Sequence, residues 1–262
     1  FRSRGARSPV RKVLLKEATT PETYGRAFGL ERAMDSAGAV VGPLLALVLT
    51  ATIGLRSVFA LTVIPGLGAA LALVWLVREK PREPARGRAL FAGVRELSGV
   101  YRRFLAGVGV AGLGDYSNTL LILFATQAWT PRFGATHAAA LAMGFYVGYN
   151  FVYMVSCWIA GLAAGRFRRH RVLAFGYALA VVPALALLVP GASIAKFAVA
   201  FGVSGLYMGF WETVESTAAA AMLPSKVSGT GFGVLATVNG VGDLASSVVV
   251  GALWATSPRL AM

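Results

Sequence analysis

The sequence predicts an all-α, polytopic membrane protein, and three observations carry that prediction. Of 262 residues, 56% are hydrophobic and only 14% are charged, whereas soluble domains carry about 25% charged residues. The apolar residues gather in runs of about 20, the length a helix needs to cross the hydrocarbon core. The Lys and Arg residues fall between those runs, dense in one loop and sparse in the next. The mean hydropathy of +0.67 agrees.

The elements follow in order. Phe1–Ala18 carries Arg4, Arg7, Arg11, Lys12 and Lys16, too basic to face lipid, and reads as the cytoplasmic end of a helix. Thr19–Thr23 is a turn, with Pro21 as its breaker. Seven spans then run over about Gly25–Thr52, Val58–Val77, Phe104–Trp129, Ala138–Ala164, Val172–Val189, Ile194–Leu223 and Thr230–Trp254. The long polar stretch Arg78–Arg103 marks a boundary. It divides the chain into 1–77, a linker 78–103 and a second part 104–262. Residue 1 is Phe and no signal peptide precedes the spans, so a fragment truncated at both ends is expected.

A formal charge of +14 on a soluble protein would suggest nucleic acid. Here topology accounts for it, and no nucleic-acid partner is expected. Six Lys or Arg lie in Phe1–Lys16, eight in Arg78–Arg103 and four in Arg166–Arg171. The alternate loops carry Arg56, Arg132, Lys196 and Arg259, one each. Cytoplasmic loops are enriched in Lys and Arg because their translocation is disfavoured. The denser loops, and the Lys226 turn with them, therefore face the cytoplasm. Trp75, Trp129 and Trp254 fall near span ends, as interfacial anchors or as plain packing. The single cysteine, Cys157, allows no intrachain disulfide and reads as a small core residue.

One helix has an echo. Gly25–Leu49 matches Gly229–Leu253 at a constant offset: Gly25 with Gly229, Phe28 with Phe232, Gly29 with Gly233, Gly38 with Gly242, Leu49 with Leu253. Asp35 stands opposite Asn239. Two related halves are the implication.

Charged groups inside spans cost about 2.5–3.5 kcal/mol each on insertion scales, so they face protein or a water-filled cavity. Asp35 lies roughly 15 Å along its helix, near the midplane. Arg32, three residues earlier, shares its face, and the two read as an ion pair or as functional groups. Gly38, Gly42 and Pro43 follow; small residues at this spacing let another backbone approach. Asp115 to Asn118 form a polar island, and Tyr149, Asn150 and Tyr153 another. Glu212 and Glu215 sit on one face of the sixth span. Close carboxylates in a low dielectric do not both ionise cheaply, which marks a protonation site or a salt bridge to another helix. Asp243 lies on the neighbouring helix. No metal-ligand cluster, nucleophile elbow or phosphate loop is present; no cofactor is expected, and the reading is not an enzyme.

Three stretches resemble the major facilitator superfamily of secondary transporters. GLAAGRFRRHRVL, Gly161–Leu173, resembles the family's cytoplasmic loop signature, Gly-x-x-x-Asp-Arg-x-Gly-Arg-Arg. Gly161, Arg166 and Arg169 fit; Gly165, Arg168 and His170 replace its Asp, second Gly and last Arg. Gly38-x-x-x-Gly42-Pro43 resembles the Gly-Pro signature of the fifth helix, associated with exporters. The stretches flanking Asp35 and Asp115 are similar to bacterial members of unassigned substrate.

The resemblance implies twelve helices in two six-helix halves, of which this chain runs from the end of helix four to helix eleven. It implies alternating access around a midplane site, in a bacterial inner membrane, by a monomer. The function expected is secondary transport of a small organic solute, proton-coupled through Glu212 and Glu215, in the direction of export. Asp35, Arg32, Asp115, Asn118, Tyr149, Asn150 and Asp243 would form the cavity or its gating network. A seven-helix receptor or photosensor, and a membrane-embedded transferase, are the alternative classes.

Overall fold

The computed structural model describes residues 2–76, 92–114 and 118–256, and the regular structure among them is helical throughout. The helices are α1 (Arg2–Glu17), α2 (Tyr24–Ile53), α3 (Leu55–Leu61), α4 (Val63–Leu76), α5 (Ala92–Arg95) and α6 (Gly99–Gly112). After these come α7 (Asn118–Phe133), α8 (Ala135–Arg166), α9 (Arg169–Leu179), α10 (Val181–Leu188), α11 (Ile194–Met222) and α12 (Ser228–Thr256). A short 3-10 turn, Ser225–Val227, joins the last two.

Local chemistry sets several boundaries. The expected turn before α2 is closed by Thr23, whose hydroxyl donates to the Thr20 carbonyl and accepts from the Thr20 N–H, both at 3.1 Å. Ser98 caps α6 by accepting the Tyr101 N–H at 3.1 Å, the usual N-cap geometry. Gly54 and Gly134, at φ 77° and 75°, end α2 and begin α8 in a left-handed conformation that residues with a Cβ rarely adopt.

Six helical stretches among the described residues are long and apolar enough to cross a membrane, where the sequence predicted seven spans. The difference lies at Phe104–Trp129, whose described residues form α6 up to Gly112 and α7 from Asn118. The end of α6 tightens: Leu113 N–H is shared between the Gly109 and Val110 carbonyls, and Gly114 N–H reaches Ala111. Such i to i+3 bonds mark a helix closing rather than continuing. The expected span Val172–Val189 also carries an interruption, at Ala180 between α9 and α10. Pro183 has no N–H to give the carbonyl one turn back.

Helix α11 is the centre of the bundle. Half of its membrane-length window is buried, against 6% for that of α2. It packs against α8, α9, α10 and α2, while α8 also packs against α2 and α7. Glycines permit the closest crossings. A Cβ on Gly161 of α8 would lie 2.4 Å from the Gly25 carbonyl oxygen and 3.1 Å from the Gly29 Cα of α2. On another flank of α8, a Cβ on Gly205 of α11 would lie 2.5 Å from the Tyr149 carbonyl oxygen. Aromatic side chains fill the rest. Trp129 is fully buried against Phe145 and Phe197, with its indole N–H donated to the Ala192 carbonyl at 3.0 Å. It is therefore a packing residue, whereas Trp75 is exposed. Leu44, Leu45 and Val48 of α2 and Val241, Leu244 and Val248 of α12 point outward, as expected of spans that meet an apolar solvent.

The two echoing stretches fold alike. Each is one long helix, and each starts one residue before its matched glycine. Phe28 and Phe232, matched in sequence, are both fully buried and meet each other, ring centroids 6.2 Å apart.

Candidate functional site

A polar network crosses the bundle where α1, α2, α8 and α11 converge. Glu31, Arg32, Asp35 and Ser36 lie on one strip of α2, because positions three and four apart are neighbours on a helix surface. Arg11 reaches this strip from α1. Its guanidinium meets Asp35 as a two-pronged fork, Nη1 to Oδ1 at 3.0 Å and Nη2 to Oδ2 at 2.6 Å, and it also pairs with Glu31. Paired planar contacts of this kind are the strongest that Arg makes with a carboxylate.

Arg32 points the other way. Its guanidinium bridges from α2 to Glu212 of α11 at 3.2 Å, with Glu31 at 3.8 Å. Tyr153 of α8 donates its hydroxyl to the same Glu212 oxygen. One carboxylate thus ties three helices together. Such a pair stands in low dielectric only because each charge keeps its partner. Where the sequence predicted a pairing along α2 between Arg32 and Asp35, Arg32 also bridges to Glu212 of α11 and Asp35 to Arg11 of α1.

Glu215 is one turn from Glu212 but looks elsewhere. It is 2% exposed, and both oxygens are occupied: Trp211 Nε1 donates to Oε2 and Asn239 Nδ2 of α12 donates to Oε1, each at 2.6 Å. The two glutamates therefore serve separate networks rather than one shared face. Lys12 of α1 stands in the electrostatic field of Glu215, Glu212, Glu31 and Arg32.

A cavity of about 540 Å³ opens beside this network. Arg11, Arg32, Asp35, Ser36 and Tyr153 contribute to its wall, with Ser8 and Ala39. Ser36 is 2% exposed, and its hydroxyl has no hydrogen-bond partner among the described residues. All of these lining residues but Ala39 carry a polar side chain, which suits exchange of ion pairs and hydrogen bonds with a small solute.

The other predicted residues scatter. Asn118 donates to the Tyr149 hydroxyl at 2.9 Å, linking α7 to α8. Asn150 is buried and turns its amide to the Tyr146 carbonyl of its own helix at 2.8 Å. Asp115 lies outside the described residues. Asp243 is exposed on α12. Gly38 and Gly42 face open space, where an added Cβ would meet nothing within 4 Å, and the side chain of Pro43 lies outside the description. In the loop motif, Gly161 is a helix-crossing residue, Arg166 is exposed, and Arg169 donates to the Pro21 carbonyl at 2.6 Å, tying the α8–α9 connection to the turn before α2.

Arg11, Glu31, Trp211 and Asn239 complete the network and were not among the predicted site residues. Arg11 stood in a basic stretch whose charge topology already explained. One signal was present: Ser8, Arg11 and Lys12 recur at helical spacing on α1. Lys16, on the same helix, is buried and donates to the Leu223 carbonyl and to Ser228 Oγ, the latter at 2.7 Å.

Comparison with known proteins bears on this arrangement. A family model described as Major Facilitator Superfamily matches residues 3–247. An uncharacterized MFS-type transporter of Methanocaldococcus jannaschii is 25% identical over 263 residues, covering 98% of this chain and 64% of its own length. Uncharacterized proteins of Mycobacterium tuberculosis and Mycobacterium bovis are 40% identical over 82 residues, 30% of this chain and 20% of theirs. The chain thus spans less than two thirds of the length of each of these relatives.

Proposed function

The chain belongs to the Major Facilitator Superfamily, and from that premise we propose that it is the greater part of a secondary transporter that moves a small organic solute by alternating access. The observation that carries the proposal is the polar cavity of about 540 Å³ beside the Arg32–Glu212 bridge. Charges at membrane depth are expensive and are kept where they line a solute or ion path. The Methanocaldococcus relative, named as an MFS-type transporter, supports the same reading.

In this proposal the two halves are 1–77 and 104–262, joined by the cytoplasmic linker 78–103, and the cavity lies between them. Rocking one half against the other requires the Arg32–Glu212 contact to break and re-form. Glu212 and Glu215 couple the cycle to protons. Glu212 shares Arg32 and Tyr153, so a proton on the carboxylate weakens the bridge that closes the path. The proposal puts the basic linker on the cytoplasmic side of a bacterial inner membrane; the Gly38 to Pro43 signature favours export, and the transporter is taken to act as a monomer. Transport rather than catalysis is the activity proposed.

The test uses the full-length protein in proteoliposomes, with an imposed pH gradient and a panel of labelled solutes. Uptake that follows the gradient, and is lost in the Glu212→Gln plus Glu215→Gln variant, supports coupling. Unchanged proton-driven uptake in that variant defeats the coupling assignment. Uptake of no solute under either gradient defeats the transporter reading.

A further inference from the structure

We propose that the solute carries a carboxylate, and that this carboxylate binds the fork of Arg11 in the place that Asp35 now occupies. The inference rests on the transporter reading above and names the chemistry of its cavity.

Four observations carry it. First, Arg11 and Asp35 meet through two parallel N–H to O contacts, at 3.0 and 2.6 Å. That geometry belongs to any planar carboxylate and not to an amine, an amide or a sugar hydroxyl. Second, this bridge is the open one. Its side chains are 33% and 45% exposed, against 17% and 11% for Arg32 and Glu31, so an incoming solute reaches it from the cavity. Third, Ser36 follows Asp35 on the cavity wall with a buried hydroxyl that has no partner among the described residues. It is a ready donor to a carboxylate seated on Arg11. Fourth, displacement leaves no buried orphan. Arg11 keeps Glu31, and the Asp35 side chain, 45% exposed, can be hydrated when Arg11 is taken by the solute.

Asp35 thus acts as an internal competitor. It holds the fork while the cavity is empty, and yields it to a solute that offers the same group with an additional contact from Ser36. If the solute also carries an ammonium, the displaced Asp35 offers a carboxylate to receive it. Monocarboxylates and amino acids share the essential chemistry and are separated by the test.

The experiment measures thermal unfolding of the purified full-length protein in detergent, with lactate, benzoate and alanine, each against its amide, and with ethanolamine and glucose. A ligand that binds the folded state raises the melting temperature with concentration, and titration up to about 10 mM resolves millimolar affinities. At least one acid is expected to stabilise while its amide does not. Alanine above lactate assigns an amino acid; lactate or benzoate above alanine assigns a simple acid. Arg11→Gln abolishes the stabilisation. Asp35→Asn strengthens it: removing a competitor that holds the fork for roughly nine tenths of the time lowers the apparent Kd about tenfold. A merely structural bridge would not give opposite signs for its two members. Stabilisation by ethanolamine or glucose alone, equal effects of acid and amide, weaker binding in both variants, or no shift with any acid each overturn the proposal. A stabilising acid that the same protein fails to exchange across proteoliposomes defeats the transporter reading and leaves the carboxylate site standing.

Discussion

Replacing Gly161 by Ala should destabilise the bundle, although alanine is the better helix former. A Cβ at 161 would sit 2.4 Å from the Gly25 carbonyl oxygen, 3.1 Å from the Gly29 Cα and 3.2 Å from the Gly25 carbonyl carbon. Ordinary contact begins at 3.4 Å, so α2 and α8 must part by about 1 Å at the crossing. The obstructing atoms are backbone and cannot rotate away. Overpacking of this kind costs about 1–3 kcal/mol, and alanine returns up to about 1 kcal/mol of propensity. The net is a loss of up to about 2 kcal/mol. Gly144 lies on the same helix, exposed, with nothing within 4 Å of its Cβ position, so Gly144→Ala keeps only the propensity gain. Melting temperatures of the full-length protein in detergent, read by loss of the monodisperse peak after heating, give the comparison. Equal melting temperatures for the two variants, or a rise at 161, would refute the account of the crossing.

Two further outcomes follow from named contacts. Glu212→Gln removes the charge opposite Arg32, whose other salt-bridge carboxylate, Glu31, stands 3.8 Å away. Removing one member of a buried pair is costly, and with Glu212 still 29% exposed the loss should not exceed about 3 kcal/mol in a detergent melt. A variant as stable as the parent would show the bridge to be energetically idle. Lys16→Met removes the ammonium that caps Leu223 at the end of α11 and holds Ser228 at the start of α12. Hydrogen bonds to charged groups contribute about 1.5–3 kcal/mol each. Faster hydrogen exchange at 223–230, with α9 unchanged, is expected, and uniform exchange would argue against a local clasp.

The fold class was legible because it depends on composition and run length alone. Pairing of helices was not. Gly161 matched a loop signature, yet its contacts are those of a crossing residue, because small residues serve close approach wherever two backbones meet. The end of α6 at Gly112 was likewise hidden, since hydropathy does not sense a helix tightening at Leu113. In the site, Arg32, Asp35 and Glu212 could be found because charge inside an apolar run stands out. Their partners could not. Arg11 was camouflaged among topological arginines, and Arg32 meets a glutamate 180 positions away, where no local period operates. Asn150 shows the converse: a polar residue in a span can satisfy itself on its own helix.

The echo between α2 and α12 extends to a contact, and the contact can be tested. Asp35 bonds Arg11, 24 residues earlier and on the preceding long segment; Asn239 bonds Glu215, also 24 residues earlier, at 2.6 Å. Each position is 204 from its counterpart, the offset that aligns Gly25 with Gly229, although Pro21 and Pro224, which lie between, stand 203 apart. The same contact is thus drawn twice with different chemistry: a cation to a carboxylate in one copy, a carboxylate to an amide in the other. In the second copy the donor is on α12 and the acceptor is on α11, and exchanging them should preserve the bond. Asn239→Asp alone sets a second carboxylate against Glu215, which is 2% exposed, and like charges in low dielectric repel strongly. Adding Glu215→Gln restores one donor and one acceptor in nearly the same volume. The double variant should therefore melt above the Asn239→Asp single variant, with a coupling of about 1–3 kcal/mol in the double-mutant cycle. Additive losses would mean that Glu215 and Asn239 do not share this bond, and the duplicated contact would fall with them.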